Sequence, residues 1–361
     1  MRIAFYAPLK SPDHDVPSGD RQMARLLIRA LELAGHQVVV ASRLRSYLGD
    51  GAAERWANIQ SDATQEVNRL TAEWSRGAMP ELWFCYHPYY KAPDLLGPVL
   101  ARRHGLIQVT AEASYSIRRN EGIWRETQQQ VIASVAAAAA NICFTKRDRQ
   151  GLAIALLDAK LSSIAPFIDT QVYAGTPAPD NNLRLVVVAM MRKGDKLDSY
   201  SMLAQSLREI ADLPWTLSVI GDGPAREDIR ALFAPFPAKR MEWLGAKAPE
   251  DVPGAFGAGG IYAWPGCGEA YGLAYLEAQA AGLPVVAQMT AGVPEVVSHG
   301  VTGLLTTPGD IQAYAAALRH LLVDSVDRQR MAAAARRRVF ERHSLTAAAQ
   351  VLKSLLQGLA K

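Results

Sequence analysis

Short apolar runs alternate with helical segments along almost the whole chain, and this alternation constrains the fold more than any other feature. RIAFYA, HQVVVAS, ELWFCYH, LIQVTAE and NICFT follow one another in the first half, with the helical RQMARLLIRALELAG between the first two. LRLVVVAMM, WTLSVIGDG, MEWLGA, GGIYAWP, LPVVAQ and GLLTT repeat the pattern in the second half, with SMLAQSLREIAD as a helix after the first of them. Short apolar strands separated by helices build parallel sheets covered on both faces. Between the two series, PFIDTQVYAGTPAPDNN shifts toward Pro, Asn, Asp and Gly, as an interdomain linker does. With 361 residues, 49% of them hydrophobic, the chain has material for two cores. The expected architecture is α/β: two Rossmann-like, doubly wound domains, 1–169 and 170–344, facing each other across a cleft. In such sheets ligands sit beyond the carboxyl ends of the strands.

Bulk properties exclude some classes of function. A formal net charge of +4 permits contact with phosphates but does not call for a nucleic-acid partner. Cys85, Cys143 and Cys267 show neither metal-ligand spacing nor a pairing pattern, which favours a reducing compartment. MRIAFYAPLK reads as a first strand rather than a signal peptide, and no run of about 18 apolar residues occurs to span a membrane. A cytoplasmic location is expected. The basic ARRRVFERH is read as the solvated face of a long helix, with peripheral contact to the inner face of a membrane as the alternative.

The chemistry concentrates in GEAYGLAYLEAQAAGLPVV. Leu273, Leu276, Ala280 and Ala281 form a helical stripe, so a strand, a turn and a helix follow in succession. Glu269 marks the mouth of the turn, and Glu277 lies about one helical turn inside. Gly272 opens the helix, where backbone N–H groups near Tyr271, Gly272 and Leu273 can meet an anion or a polar oxygen. A carboxylate at Glu277 suits a pair of neighbouring hydroxyls such as a ribose diol, or an arginine partner; spacing alone leaves both open.

EAYGLAYLEAQAAGLPVV, followed by AGVPEVVSHGVTGLLTTPGD, resembles the E-x7-E region of family-4 glycosyltransferases with the GT-B fold. The resemblance is firm in the C-terminal half and loose in the N-terminal half. It implies a retaining transferase using a nucleotide-sugar donor, UDP- or GDP-linked, with no metal and no other cofactor. In VVVAMMRKGDK, Arg192 and Lys196 correspond to a clamp for the diphosphate; Met191 stands in place of the family's glycine, and Lys193 is a competing cation. Glu269 would contact the transferred sugar, Glu277 the ribose, and Ala270, Tyr271, Gly272 and Leu273 would present backbone to the donor. Ala246, Lys247 and Ala248, after MEWLG, correspond to the loop that reads the nucleobase. Gly221 and Gly223 in VIGDGP are given a structural role in turning the chain.

In the N-terminal half, VPSGDRQMARLLIRALELAGHQVVV resembles the family's first loop and helix, which implies approach of the Gly19 backbone to the diphosphate. Asp20 reads equally well as a helix N-cap. His87, in YHPYYKAPD, follows a strand and is either a cleft residue or a satisfied, partly buried histidine. Glu112 stands where many members carry a histidine after the fifth strand. It could accept a proton, orient an acceptor hydroxyl or touch a sugar hydroxyl. Arg118, Arg119 and Trp124 in SYSIRRNEGIW suit a sugar or an anionic acceptor, or form a solvated basic surface. The amphipathic LTAAAQVLKSLLQGLAK, about 345–361, is implied to pack back onto the N-terminal domain. The acceptor stays open among glycan, lipid and small metabolite. Rival readings are a nucleotide-sugar epimerase, a sugar phosphorylase or a non-catalytic sugar-nucleotide-binding protein.

Overall fold

The computed structural model describes residues 1–16, 18–77, 79–175 and 182–359. The 176–181 stretch of the expected linker lies outside the described residues. Two units emerge, Met1–Ala165 with Leu345–Lys361, and Pro166–Ser344. The division thus falls four residues ahead of the expected 169, with 345–361 in the first unit.

The first unit is built on a six-stranded parallel sheet in the order β2-β1-β3-β4-β5-β6. The strands are β1 Arg2–Tyr6, β2 Gln37–Ser42, β3 Leu82–Tyr86, β4 Ile107–Ala111, β5 Ala140–Cys143 and β6 Leu161–Ser163. All five residues of β3 are buried, as expected of a central strand with helices on both faces. β6 was not anticipated. It is three residues long, half polar in pattern and at the sheet edge, so it lacks the apolar signature of its neighbours.

The second unit repeats the plan with the order β12-β11-β10-β7-β8-β9. Its strands are β7 Arg184–Val188, β8 Thr216–Ile220, β9 Met241–Gly245, β10 Ile261–Ala263, β11 Val285–Gln288 and β12 Gly303–Thr306. In each sheet the strand order reverses beside the first strand, at β1/β3 and at β7/β10. Loops leaving a reversal point part to opposite faces and open a crevice at the strands' carboxyl ends. Both crevices hold charged side chains.

Helix Gly19–Leu33 follows β1 and buries Met23, Leu26, Leu27 and Leu31 along one face. Helix Leu345–Leu359 packs against it through a buried stripe that includes Leu352 and Leu356. In the second unit, helix Leu273–Ala280 lies against helix Ser325–Arg342. The expected solvated basic face of that last helix is only partly solvated. The Arg336 guanidinium donates to the carbonyl of Tyr173 at 3.0 Å and lies 5.4 Å from the Phe340 ring centre, which ties it to its own unit.

Candidate active site

In the second unit, β7 runs into the loop Ala189–Gly194 and then helix Asp195–Arg208. The loop is fastened to the loop after β8: Met191 N–H donates to the Asp222 carbonyl at 3.0 Å and Ala225 N–H to the Met191 carbonyl at 2.9 Å. A Cβ on Gly223 would lie 2.3 Å from the Met191 carbonyl oxygen, so this close approach requires glycine. Met191 is itself buried, and Arg192 and Lys193 stand exposed beside it. Neither makes a salt bridge among the described residues. Lys196 does not share that loop. It sits in the first turn of the helix, and its ammonium forms a salt bridge with the carboxylate of Glu269.

Glu269 is carried by the loop after β10. The buried indole of Trp264 donates to the same carboxylate oxygen at 3.1 Å, and the Lys196 ammonium lies 5.5 Å from the Trp264 ring centre. Beneath them, Tyr275 OH donates to the Trp264 carbonyl at 3.1 Å. The helix opens where expected: Gly272, at φ 78°, is the residue before Leu273–Ala280. A Cβ there would come within 2.6 Å of the Tyr275 ring. The side chains of Tyr271 and Leu273 are buried, which leaves backbone as what this turn presents outward. Ala270 is exposed, and its carbonyl accepts from Gly292 N–H at 2.6 Å. Glu277 is half-buried one turn along. Its charge reaches Tyr173 and Tyr262, whose phenols burial already drives up. Ala246, Lys247 and Ala248 form an exposed loop after β9.

The first unit places a mirrored arrangement at its own reversal point. The Asp20 carboxylate and His87 Nδ1 are 3.0 Å apart, joining the helix after β1 to the loop after β3. The N-cap reading of Asp20 is overturned: Ser18 caps the helix, its hydroxyl accepting from Arg21 N–H at 3.2 Å. Burial opposes ionisation of Asp20, but His87 outweighs it and holds the carboxyl below its usual range. Burial would likewise lower His87, yet the Asp20 hydrogen bond and the charges of Glu112, Asp20 and Asp148 raise it to about 9. Burial raises Glu112 to about 7, with His87 pulling against it and Asp148 adding to it.

Glu112 follows β4, the fourth strand rather than the fifth. His87 and Glu112 have φ of 59° and 56°, rare for residues with a side chain, and each still donates its N–H to the neighbouring strand, to Ala111 and Ile142. Gly19 begins its helix, is exposed, and would meet nothing within 4 Å if given a Cβ. The protein's own packing does not require glycine there. Sequence reasoning missed Trp264, and it missed Asp20 as the partner of His87. A tryptophan closing IYAW just before the PGCGE turn was the available signal for the first; a contact spanning 67 residues left none for the second.

Among the described residues, no group of three or more His, Cys, Asp or Glu side chains is disposed to hold a metal ion. Nor is any helix long and apolar enough to cross a membrane.

Two Rossmann-like domains of this topology define a GT-B protein, and solved structures agree. Anabaena HepE in complex with UDP superposes with a TM-score of 0.75 over 99% of this chain and 100% of that one, at 16% identity. More narrowly, residues 182–324, within the second unit, match the family described as glycosyl transferases group 1. Sulfoquinovosyl transferase SQD2 of Arabidopsis thaliana is 37% identical over 123 residues, 33% of this chain and 24% of that protein. A GDP-mannose-dependent alpha-(1-6)-phosphatidylinositol monomannoside mannosyltransferase of Mycobacterium tuberculosis is 30% identical over 220 residues, 55% of this chain and 56% of that protein. The matches thus span about a quarter and just over half of these relatives' lengths.

Proposed function

We propose that the chain transfers a hexosyl or related sugar from a nucleoside-diphosphate sugar to an acceptor hydroxyl, with retention at the anomeric carbon and without a metal ion. The observation that carries this reading is the Lys196–Glu269 pair at the β7/β10 reversal, beside the helix opened by Gly272. An entering diphosphate, doubly anionic, competes with Glu269 for the Lys196 ammonium and recruits exposed Arg192 from the neighbouring loop. Glu269, held by Trp264, then accepts a hydrogen bond from a sugar hydroxyl. Glu277 accepts from the ribose diol, the helix start offers N–H donors, and the Ala246–Ala248 backbone meets the base edge-on.

As the anomeric carbon's bond to phosphate breaks, the acceptor oxygen bonds to the same face of that carbon. The acceptor's proton passes to the departing phosphate oxygen, so no external base is required. In the first unit, Gly19 admits phosphate oxygens close to backbone, while His87 and Glu112 orient the acceptor hydroxyl. A UDP- or GDP-linked donor is favoured by relatives that bind UDP or depend on GDP-mannose. The free thiols of Cys85, Cys143 and Cys267 support a cytoplasmic setting. A relative named for a phosphatidylinositol monomannoside supports a lipid acceptor, reached at the membrane's inner face.

A thermal-shift panel of UDP-, GDP- and ADP-sugars tests the donor assignment. A true donor at about 100 times its Kd should add roughly 2.7 kcal/mol of stability. Glu277→Gln should lower kcat/KM about a hundredfold, roughly 3 kcal/mol of transition-state stabilisation. Undiminished turnover in that variant would remove Glu277 from the site. Product formed from donor alone, or only with free phosphate, would replace transfer by epimerisation or phosphorolysis, and binding without turnover would leave a sensor.

A further inference from the structure

The segment after His87 is built as a rigid turn. Tyr89 and Ala92 exchange backbone hydrogen bonds of 3.2 and 2.8 Å, so Tyr90 and Lys91 form its tip. Leu48 N–H donates to the Lys91 carbonyl at 2.7 Å, which fixes the tip to the loop after β2. Its rings run in series: His87 stacks on Tyr89 at 5.1 Å, Tyr89 meets Tyr90 edge-on at 5.4 Å, and Tyr90 meets Trp124 edge-on at 5.2 Å. Each is only partly buried. Cations gather on the same rings. The Lys91 ammonium lies 5.9 Å from the Tyr90 centre and 5.8 Å from that of Trp124, and the Arg119 guanidinium 5.7 Å from Tyr90. Neither cation has a salt bridge among the described residues.

Two features of this cluster point to one ligand chemistry. Aromatic faces, partly open and held by their backbone, suit the C–H face of a sugar or polyol ring. Two like charges converging on a single tyrosine repel each other, and an anion bound between them relieves that repulsion. An uncharged sugar would use the rings and leave the cations unanswered. A bare anion would do the reverse.

We propose that the Tyr89–Ala92 turn, with Trp124 and Arg119, is a platform for a sugar or polyol carrying a phosphate, its ring on the aromatic faces and its phosphate between Lys91 and Arg119. Calling this ligand the acceptor rests on the transferase reading; the binding itself does not. Stacking of Tyr89 on His87 makes the platform continuous with the Asp20–His87 pair, so a ligand anchored by its phosphate places ring hydroxyls toward that pair. This selectivity distinguishes the platform from a merely solvated basic surface, which binds anions without regard to the ring.

Calorimetry on the full chain with glucose 6-phosphate, glucose and inorganic phosphate tests the idea. Glucose 6-phosphate should bind at least tenfold tighter than either of the others. Lys91→Gln with Arg119→Gln, at a half-buried and an exposed position without salt bridges among the described residues, should abolish that preference while leaving the thermal midpoint in place. Tyr90→Ala should weaken the sugar phosphate at least tenfold without changing the affinity for inorganic phosphate. Equal affinity for glucose and its phosphate, or a preference surviving in the double variant, would overturn the platform. Flotation with phosphatidylglycerol–phosphatidylcholine vesicles separates the two sources of such a ligand. Co-flotation lost in the double variant assigns a lipid headgroup, and binding in solution without flotation assigns a soluble phosphate; either upholds the platform. No nucleotide sugar enters these measurements, so failure to bind a donor would strike the transferase reading alone.

Discussion

His87 and Glu112 end adjacent strands with positive φ, a conformation that costs a residue with a side chain about 1–2 kcal/mol. Both are also displaced in acidity, and the signs of the two displacements combine. His87 titrates near 6.5 when unfolded and at about 9 in place, so its contribution is complete below pH 6.5 and is lost as pH rises through 9. Glu112 ionises near 4.5 when unfolded but only at about 7 when folded, so the folded state loses ground between those values. The contribution of these two residues to stability should therefore decline from about pH 5 to 9, whereas His343, which burial lowers to about 4, contributes in the opposite sense below pH 6.5. His87→Gln should flatten the decline above pH 6.5 and Glu112→Gln the decline below 7, as followed by urea unfolding at a series of pH values. An unchanged slope in both variants would remove the pair from any role in pH dependence. The sequence named both residues and left their setting open, because Asp20 reaches His87 from 67 positions away. The same holds for Lys196 and Glu269, 73 apart: each was legible by its motif, their pairing was not.

Elements were easier to read than contacts. Central strands such as LWFCY are buried on both faces and announce themselves by continuous apolarity, whereas LSS at the sheet edge has no such signature. The strand–turn–helix around Gly272 was visible because a glycine interrupts an otherwise helical run. What the sequence could not show is why alanine would fail there. Gly272 combines φ 78° with a Tyr275 ring 2.6 Å from where a Cβ would stand, and Tyr275 supports Trp264, which holds Glu269. Gly272→Ala should cost about 2 kcal/mol or more from backbone strain and displaced packing, measured by denaturant unfolding. Donor affinity should fall as well. A variant of unchanged stability would show that the turn accommodates a side chain by moving.

The whole molecule divides unevenly in sequence though evenly in plan. Pro166–Ser344 is continuous, while the first unit joins Met1–Ala165 to Leu345–Lys361. Leu352 is fully buried against the first unit, so Leu352→Ala should cost about 2–5 kcal/mol. The loss should appear as reduced hydrogen-exchange protection in Gly19–Leu33, with the Pro166–Ser344 strands unaffected; equal loss in both would mean that the units unfold as one. This topology also sets an order of assembly on the ribosome. The segment that seals the first unit is translated only after the whole of Pro166–Ser344, so that unit must wait, with one flank uncovered, while the second is synthesised. A nascent chain of this kind leaves Met1–Ala165 vulnerable for as long as the second unit takes to emerge.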